Sequence, residues 1–172
     1  MQFMNKLIIS KEEPNEIQQI WEVNSLAFET DAEANLVIRL LNSGIEHISL
    51  VAKYNNNVVG HILFTPAKLE NSEIKIAGLA PMAVKPEFQH TGIGSALVEY
   101  GLNECKSNGY QAVVVLGHPN YYPKFGFTPS INFKIKSEYD VPDEVFMIKE
   151  LVPNSLDGLS GMLKYHKEFN KL

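Results

Sequence analysis

The sequence predicts an α/β (α+β) domain in which helices pack on a mixed sheet. Strand and helix patterns follow one another in the order β-α-α-β-β-β-α-β-α-β-β. Ala112–Leu116 is an unbroken apolar run with three consecutive valines, the pattern of a strand buried on both faces. The 172 residues, 45% hydrophobic and 20% charged, make one ordinary domain spanning 1–172. A chain of this length buries roughly 70% of the surface its unfolded form exposes, without a disulfide or metal staple.

The elements follow in order. Leu7–Ser10 reads as a short strand, and Pro14 sits where a first helical turn tolerates proline. Ile17, Ile20, Trp21, Ala27 and Phe28 continue at helical spacing, with polar Asn24 interrupting the stripe. A second helix starts at Thr30, where Glu33 completes a capping-box pattern. Leu36, Val37, Leu40 and Leu41 form its apolar face, and Gly44 is its C-cap. Ile48–Tyr54 and Asn57–Phe64 flank an asparagine run that tolerates positive φ, so they form a hairpin. Ala67–Leu69 is short and extended. Ile74–Val84 is the longest strand candidate, yet Pro81 within it cannot donate to a ladder and marks an edge, a bulge or a separation of strands. Gly92–Ser107 is helical, with Leu97, Val98, Gly101, Leu102 and Cys105 on one face and Asn108-Gly109 ending it. Pro119–Phe125 holds one or two helical turns, and Phe127–Ile135 and Glu144–Leu151 read as a closing pair of strands. The tail 152–172 has no firm pattern.

Composition excludes several functions. The net charge of −5 and a pI near 5.5 argue against a nucleic-acid partner. Cys105 is the single cysteine, so an intramolecular disulfide and every multi-cysteine zinc site are ruled out. Cys105 itself reads as a core thiol. The five histidines, His47, His61, His90, His118 and His166, lack metal-ligand spacing, and no metal is expected. No apolar run is long enough to span a membrane, and Met1–Ser10 lacks the features of a secretory signal. The expectation is a cytoplasmic protein.

The sharpest motif is Gln89-His90-Thr91-Gly92-Ile93-Gly94, between a strand and a helix. A glycine-bearing turn at a helix N-terminus presents unpaired N–H groups in one direction and, with the helix dipole, suits a phosphate or pyrophosphate. An empty strand-to-helix turn would have the same spacing. A dinucleotide fingerprint wants a small residue where Leu97 stands and an acidic residue about twenty positions on, where 112–117 offers none. A Walker loop wants Gly-Lys-Ser/Thr, whereas Ser95 directly follows Gly94.

With Gln89, Gly92 and Gly94 in register after a strand, the chain resembles the GNAT superfamily of N-acetyltransferases. Leu79-Ala80-Pro81-Met82-Ala83-Val84-Lys85-Pro86 is similar to the family's fourth strand and its exit. Gly117-His118-Pro119-Asn120-Tyr121-Tyr122-Pro123-Lys124-Phe125-Gly126-Phe127 is similar to the segment before its sixth strand, where a tyrosine precedes Gly-Phe by four positions. The resemblance extends from about Leu7 to Leu151, and 79–127 looks most like a branch of small bacterial predicted acetyltransferases. It implies a mostly antiparallel sheet of about seven strands, splayed between the fourth and fifth.

The resemblance also implies acetyl-CoA as co-substrate. Its pantetheine arm would pair with Met82, Ala83 and Val84, and its pyrophosphate would rest on Gln89, His90, Thr91, Gly92, Ile93, Gly94 and Ser95. The position of His90 is often glycine in the family. Asn120 would bond the cofactor arm or cap the short helix after Pro119. Direct transfer to a primary amine, of a small molecule or a peptide, would require a base, because an ammonium has no lone pair. Tyr122 is the expected general acid for the departing thiolate, with Tyr121 beside it as the competing assignment. No carboxylate lies in 79–84, so Glu33 and Glu29 are the candidate bases; capping explains the first equally well and a solvated surface the second. His61 and His118 are candidate proton relays. A second reading, a non-catalytic acyl-CoA sensor or partner module on the same fold, stays open, as does a homodimer formed by strand exchange or edge pairing near 145–151.

Overall fold

The computed structural model describes residues 6–172; the first five residues of the stretch read as lacking a signal lie outside it. The chain divides into two compact units, one comprising the chain up to Phe64 with Pro81–Gly101 and Lys167–Leu172, the other Thr65–Ala80 and Leu102–His166.

The first unit opens with β1 (Leu7–Lys11), a 3-10 turn at Pro14–Glu16, α1 (Ile17–Ala27) and α2 (Ala32–Asn42). β2 (Ile48–Tyr54) pairs antiparallel with β1, from Leu7 opposite Tyr54, and with the start of β3 (Asn57–Leu69). Asn55 and Asn56 turn the hairpin with φ of +50° and +64°, the left-handed pair that a two-residue connection demands. Of the expected α1 stripe only Ile20 is fully buried, joined by Val23, while Ile17, Trp21, Ala27 and Phe28 are half-buried; on α2 Leu36, Val37 and Leu40 are buried and Leu41 is half-buried. Asn24, which breaks the first stripe, is buried with them. α3 (Ile93–Ser107) lies against β3 at Gly101, where a Cβ would come within 2.3 Å of the Phe64 ring. The expected capping box at α2 is not formed. The Thr30 hydroxyl accepts from the Ala32 N–H at 3.3 Å, and α2 begins after Asp31.

In the second unit the start of β4 (Ile76–Val84) pairs parallel with β5 (Ala112–Leu116), from Ile76 opposite Ala112 to Leu79 opposite Val115. β5 is antiparallel to β8 (Phe146–Glu150), and Ala112 to Val115 are sealed from solvent. The expected closing pair is only partly realised. β6 is two residues long, Thr128–Pro129, and covers β8 at Met147 and Ile148. Pro129 has no N–H to continue the ladder, and a 3-10 turn at Ser130–Phe133 follows, tied by the Ser130 hydroxyl donating to the Ile135 carbonyl at 2.8 Å. β7 (Ile135–Ser137) instead pairs with β9 (Gly161–Lys164), a strand from the tail the sequence left unassigned. β9 also pairs with the end of β3, at Lys68 opposite Lys164. β8 is paired with β5 along its whole length and with β6 only at Met147 and Ile148.

The sheet is mixed and mostly antiparallel, its main path is seven strands long, and helices flank it. No helix among the described residues is long and apolar enough to cross a membrane.

Candidate active site

The parallel pairing of β4 with β5 stops at Leu79, while β4 runs on to Val84. This is the separation that Pro81 announced. Along this stretch Met82 and Val84 are half-buried and Ala83 is buried. The exit of β4 is held in the first unit by the Lys85 N–H, which donates to the Val59 carbonyl of β3 at 2.9 Å.

The loop after β4 is shaped by its own side chains. The Gln89 amide donates back to the Val84 carbonyl at 3.0 Å, and the Thr91 hydroxyl donates to the Phe88 carbonyl. His90 has a φ of +61° and Gly92 a φ of +92°. Glycine adopts such a backbone without cost, which is the physical reason it suits the His90 position; histidine is among the few other residues that reach it. A Cβ on Gly92 would meet nothing within 4 Å, so the bare main chain there borders open space. The first helical bond of α3 runs from the Ala96 N–H to the Gly92 carbonyl at 3.0 Å, leaving the amides of the preceding turn without an acceptor in the helix. Gln89, His90, Thr91 and Gly92 are exposed, Ile93 anchors the turn in the core, and Gly94 and Ser95 are half-buried. An exposed, positively polarised cradle with Cβ-free approach fits a pyrophosphate.

In the second unit, Tyr122 opens a 3-10 turn at Tyr122–Phe125 and is buried. Its ring lies over Gly117, where a Cβ would stand 2.3 Å from a ring carbon, and it is boxed by Tyr121 at 5.1 Å and Phe127 at 5.7 Å between centroids. Burial, helped by Tyr121, pushes the hydroxyl up to about 12, so it keeps its proton across the neutral range. Tyr121 is instead occupied by Lys124, whose ammonium sits 4.0 Å from its ring centroid. Asn120 is exposed in the preceding turn and does not cap the 3-10 turn, whose N-cap is Tyr121 and carries no side-chain bond. His118 is exposed and contributes its carbonyl to the Tyr121 N–H at 3.1 Å.

The candidate bases separate clearly. Glu29 is exposed. Glu33 is half-buried, and its Oε2 is shut away from solvent with no hydrogen-bond partner. His61 is wholly buried in a chain that the sequence did not disclose. Its Nδ1 lies 3.2 Å from Asn24 Nδ2, its Nε2 2.8 Å from Ser49 Oγ, and the Ser49 hydroxyl donates to Glu12 Oε2 at 2.6 Å. Because Ser49 spends its hydrogen on the carboxylate, the Nε2–H of a neutral His61 donates to Ser49 and Nδ1 accepts from Asn24. Burial, with a smaller push from His47, pulls His61 down to about 3 and keeps the ring neutral. Ser49 and Glu12 carry no motif; Asn24 had one signal, a polar residue at a core position. Among the described residues, no three His, Cys, Asp or Glu are grouped to hold a metal ion.

The fold, a mixed sheet whose parallel pair parts before a glycine turn and a helix, is that of an acyltransferase, and comparison with known proteins agrees. Residues 46–129 match the acetyltransferase (GNAT) domain. The chain is 33% identical over 146 residues to YhbS, an uncharacterised N-acetyltransferase of Escherichia coli, covering 84% of this chain and 87% of that protein. It is 41% identical over 135 residues to another uncharacterised N-acetyltransferase of the same organism, YjhQ, covering 76% and 75%. The crystal structure of E. coli YhbS with CoA superposes with a TM-score of 0.92 at 31% identity, over 96% of this chain and 92% of that one. A GNAT acetyltransferase of Brucella melitensis, crystallised with acetyl-CoA, gives a TM-score of 0.79 at 29% identity, over 95% and 97%. The chain belongs to the GNAT family of N-acetyltransferases.

Proposed function

We propose that the protein moves an acetyl group from acetyl-CoA directly to a primary amine of a small molecule or peptide. The observation that carries this reading is the cradle at 89–95, with its left-handed His90 and Gly92, following a strand that outruns its parallel partner. The CoA and acetyl-CoA complexes of its relatives support the choice of co-substrate.

Each residue then has a role. The amides from His90 to Ser95 hold the pyrophosphate, with Gln89 bracing the loop. Met82, Ala83 and Val84 offer main-chain groups to the pantetheine arm, as an added strand would be held, and one N–H polarises the thioester carbonyl. Asn120, being exposed, is available to the arm. Tyr122 serves as the general acid for the departing thiolate. A thiol is a stronger acid than a phenol held near 12, so the hydroxyl donates a hydrogen bond as the thiolate forms and completes the proton transfer only as it is reprotonated. Glu33 takes the proton that an ammonium must shed, since its unpartnered oxygen is free to accept.

Thermal unfolding with acetyl-CoA, CoA and NADH in turn tests the co-substrate. Saturation about a hundredfold above the dissociation constant adds about 2.7 kcal/mol, a rise of roughly 5–11 °C for this size. A rise with both CoA species and none with NADH supports the reading and justifies screening amines for CoA release. No rise with either CoA species overturns it.

A further inference from the structure

A cleft of about 330 Å3 opens in the second unit between β7, the loop that follows it and the start of β8. That is the small end of ligand pockets, which run roughly 300–1,000 Å3, so it suits a small molecule or one end of a longer one. Buried Ile135 and Phe146 and the half-buried ring of Tyr139 give it apolar and aromatic surface. Its open polar capacity is for accepting. Ser130, 2% exposed, lines the cleft with its hydroxyl hydrogen spent on the Ile135 carbonyl at 2.8 Å. Only its lone pairs are left, and no described group donates to them. Glu138, Asp140 and Asp143 add three carboxylates, and the side chains of Asp140 and Asp143 have no partner among the described residues. Lys136, the one cation in the lining, pairs with none of the three. A buried acceptor, negative charge and aromatic surface together select a cation that carries N–H donors. A primary ammonium, with three donors and no acceptor, is the simplest.

The cleft lies beside the general acid proposed above without containing it, since Tyr122 is not in its lining. The link is Tyr165. Its ring centroid is 6.2 Å from that of Tyr139, and its N–H donates to Glu138 Oε2 at 3.1 Å. The same ring covers Gly78, where a Cβ would stand 2.5 Å from it, one residue before the β4–β5 pairing ends at Leu79. Burial raises the Tyr165 hydroxyl, and Tyr139, Tyr122 and Glu138 add to the rise, so Tyr165 is within electrostatic reach of both the cleft and Tyr122. A nitrogen held in the cleft is therefore not the one that meets the thioester at Tyr122. It belongs to another part of the same molecule.

We propose that this cleft holds a second ammonium group of the acceptor, on Ser130, Glu138, Asp140 and Asp143, so that the acceptor is a diamine acetylated at the nitrogen outside the cleft; this rests on the amine-transfer reading above. The reacting ammonium loses two protons and forms the C–N bond as the thioester C–S bond breaks. One proton ends on the thiolate and one in solvent, while the held ammonium keeps its three hydrogens.

The probes are the α,ω-diaminoalkanes from propane to octane, each set against the n-alkylamine of equal carbon count. Each is titrated at equal ionic strength into isotope-labelled protein with CoA bound. The expected result is a diamine that shifts the backbone amides of Tyr139 and Asp140 saturably and binds at least about tenfold more tightly than its monoamine. Joint replacement Asp140→Asn and Asp143→Asn should bring the pair to within about twofold of each other. Both positions are exposed, so the variant's thermal shift with CoA should match that of the parent protein. Equal binding of every diamine and its monoamine, shifts that leave Tyr139 and Asp140 untouched, or a preference that survives in the double variant overturns the proposal. A protein that CoA stabilises but that does not prefer diamines refutes this inference alone. One that CoA does not stabilise refutes the amine-transfer reading and this inference with it.

Discussion

Tyr122 and Gly92 are tested by removing one atom and adding one. Tyr122→Phe keeps the ring that packs over Gly117 and against Phe127 and deletes only the hydroxyl. Turnover should fall about a hundredfold, with the thermal shift given by acetyl-CoA unchanged. Because burial holds that hydroxyl up to about 12, its ionisation cannot produce an alkaline fall in rate at ordinary assay pH. Gly92→Ala adds a methyl on the side proposed to meet the pyrophosphate, at a φ of +92° that alanine resists. CoA affinity should drop at least tenfold, read by titration calorimetry, and the fold should lose about 1 kcal/mol. His90→Gly is its converse. At a φ of +61° glycine relieves strain, so stability should hold or rise by up to about 1 kcal/mol, and any loss of CoA affinity measures what the imidazole contributes.

Among the elements, the seating of α3 on β3 is the most constrained. Gly101 meets the Phe64 ring so closely that an added Cβ would stand 2.3 Å from it, and a ring filling a packed core cannot retreat. Gly101→Ala should cost about 2 kcal/mol, seen as a lower urea midpoint at unchanged slope. The start of α3 carries the turn proposed to hold the pyrophosphate, so the same variant should also weaken CoA binding. The interruption of the closing strands has an equally local cause: Pro129 ends β6 after two residues, and Ile135–Ser137 is then free to pair with β9.

For the whole molecule, buried His61 links stability to acidity. Its folded form refuses a proton until about 3, whereas the unfolded chain takes one up below about 6.5. Stability from this residue is therefore complete above about pH 6.5 and is lost as pH falls toward 3. At about pH 5 the loss is about 2 kcal/mol. His61→Gln keeps a donor and an acceptor but cannot titrate, so the difference between urea midpoints at neutral and mildly acidic pH should shrink relative to the parent protein. An equal acid loss in both proteins would assign it to carboxylates such as Glu168, which Lys171 and Arg39 hold below the usual range.

By itself the sequence determined the elements whose cause is local: the Asn55-Asn56 hairpin, the stripes of α1 and α2, the valine strand β5, the proline at the end of the β4–β5 pairing and the glycine turn before α3. These depend on φ preference and on periodicity within a few residues, which a linear reading contains. The family was legible because two motifs stand in order along the chain. Tertiary structure alone decided what depends on partners distant in sequence. Glu33 looked like a capping residue until α2 began elsewhere and left its oxygen unpaired. β9 has no periodicity and exists because β3 and β7 offer edges to pair with. The chain from Glu12 through Ser49 and His61 to Asn24 joins the loop after β1 to three elements, β2, β3 and α1, and no residue in it announces its neighbour. A buried polar group shows its purpose only when its partners, or their absence, can be counted.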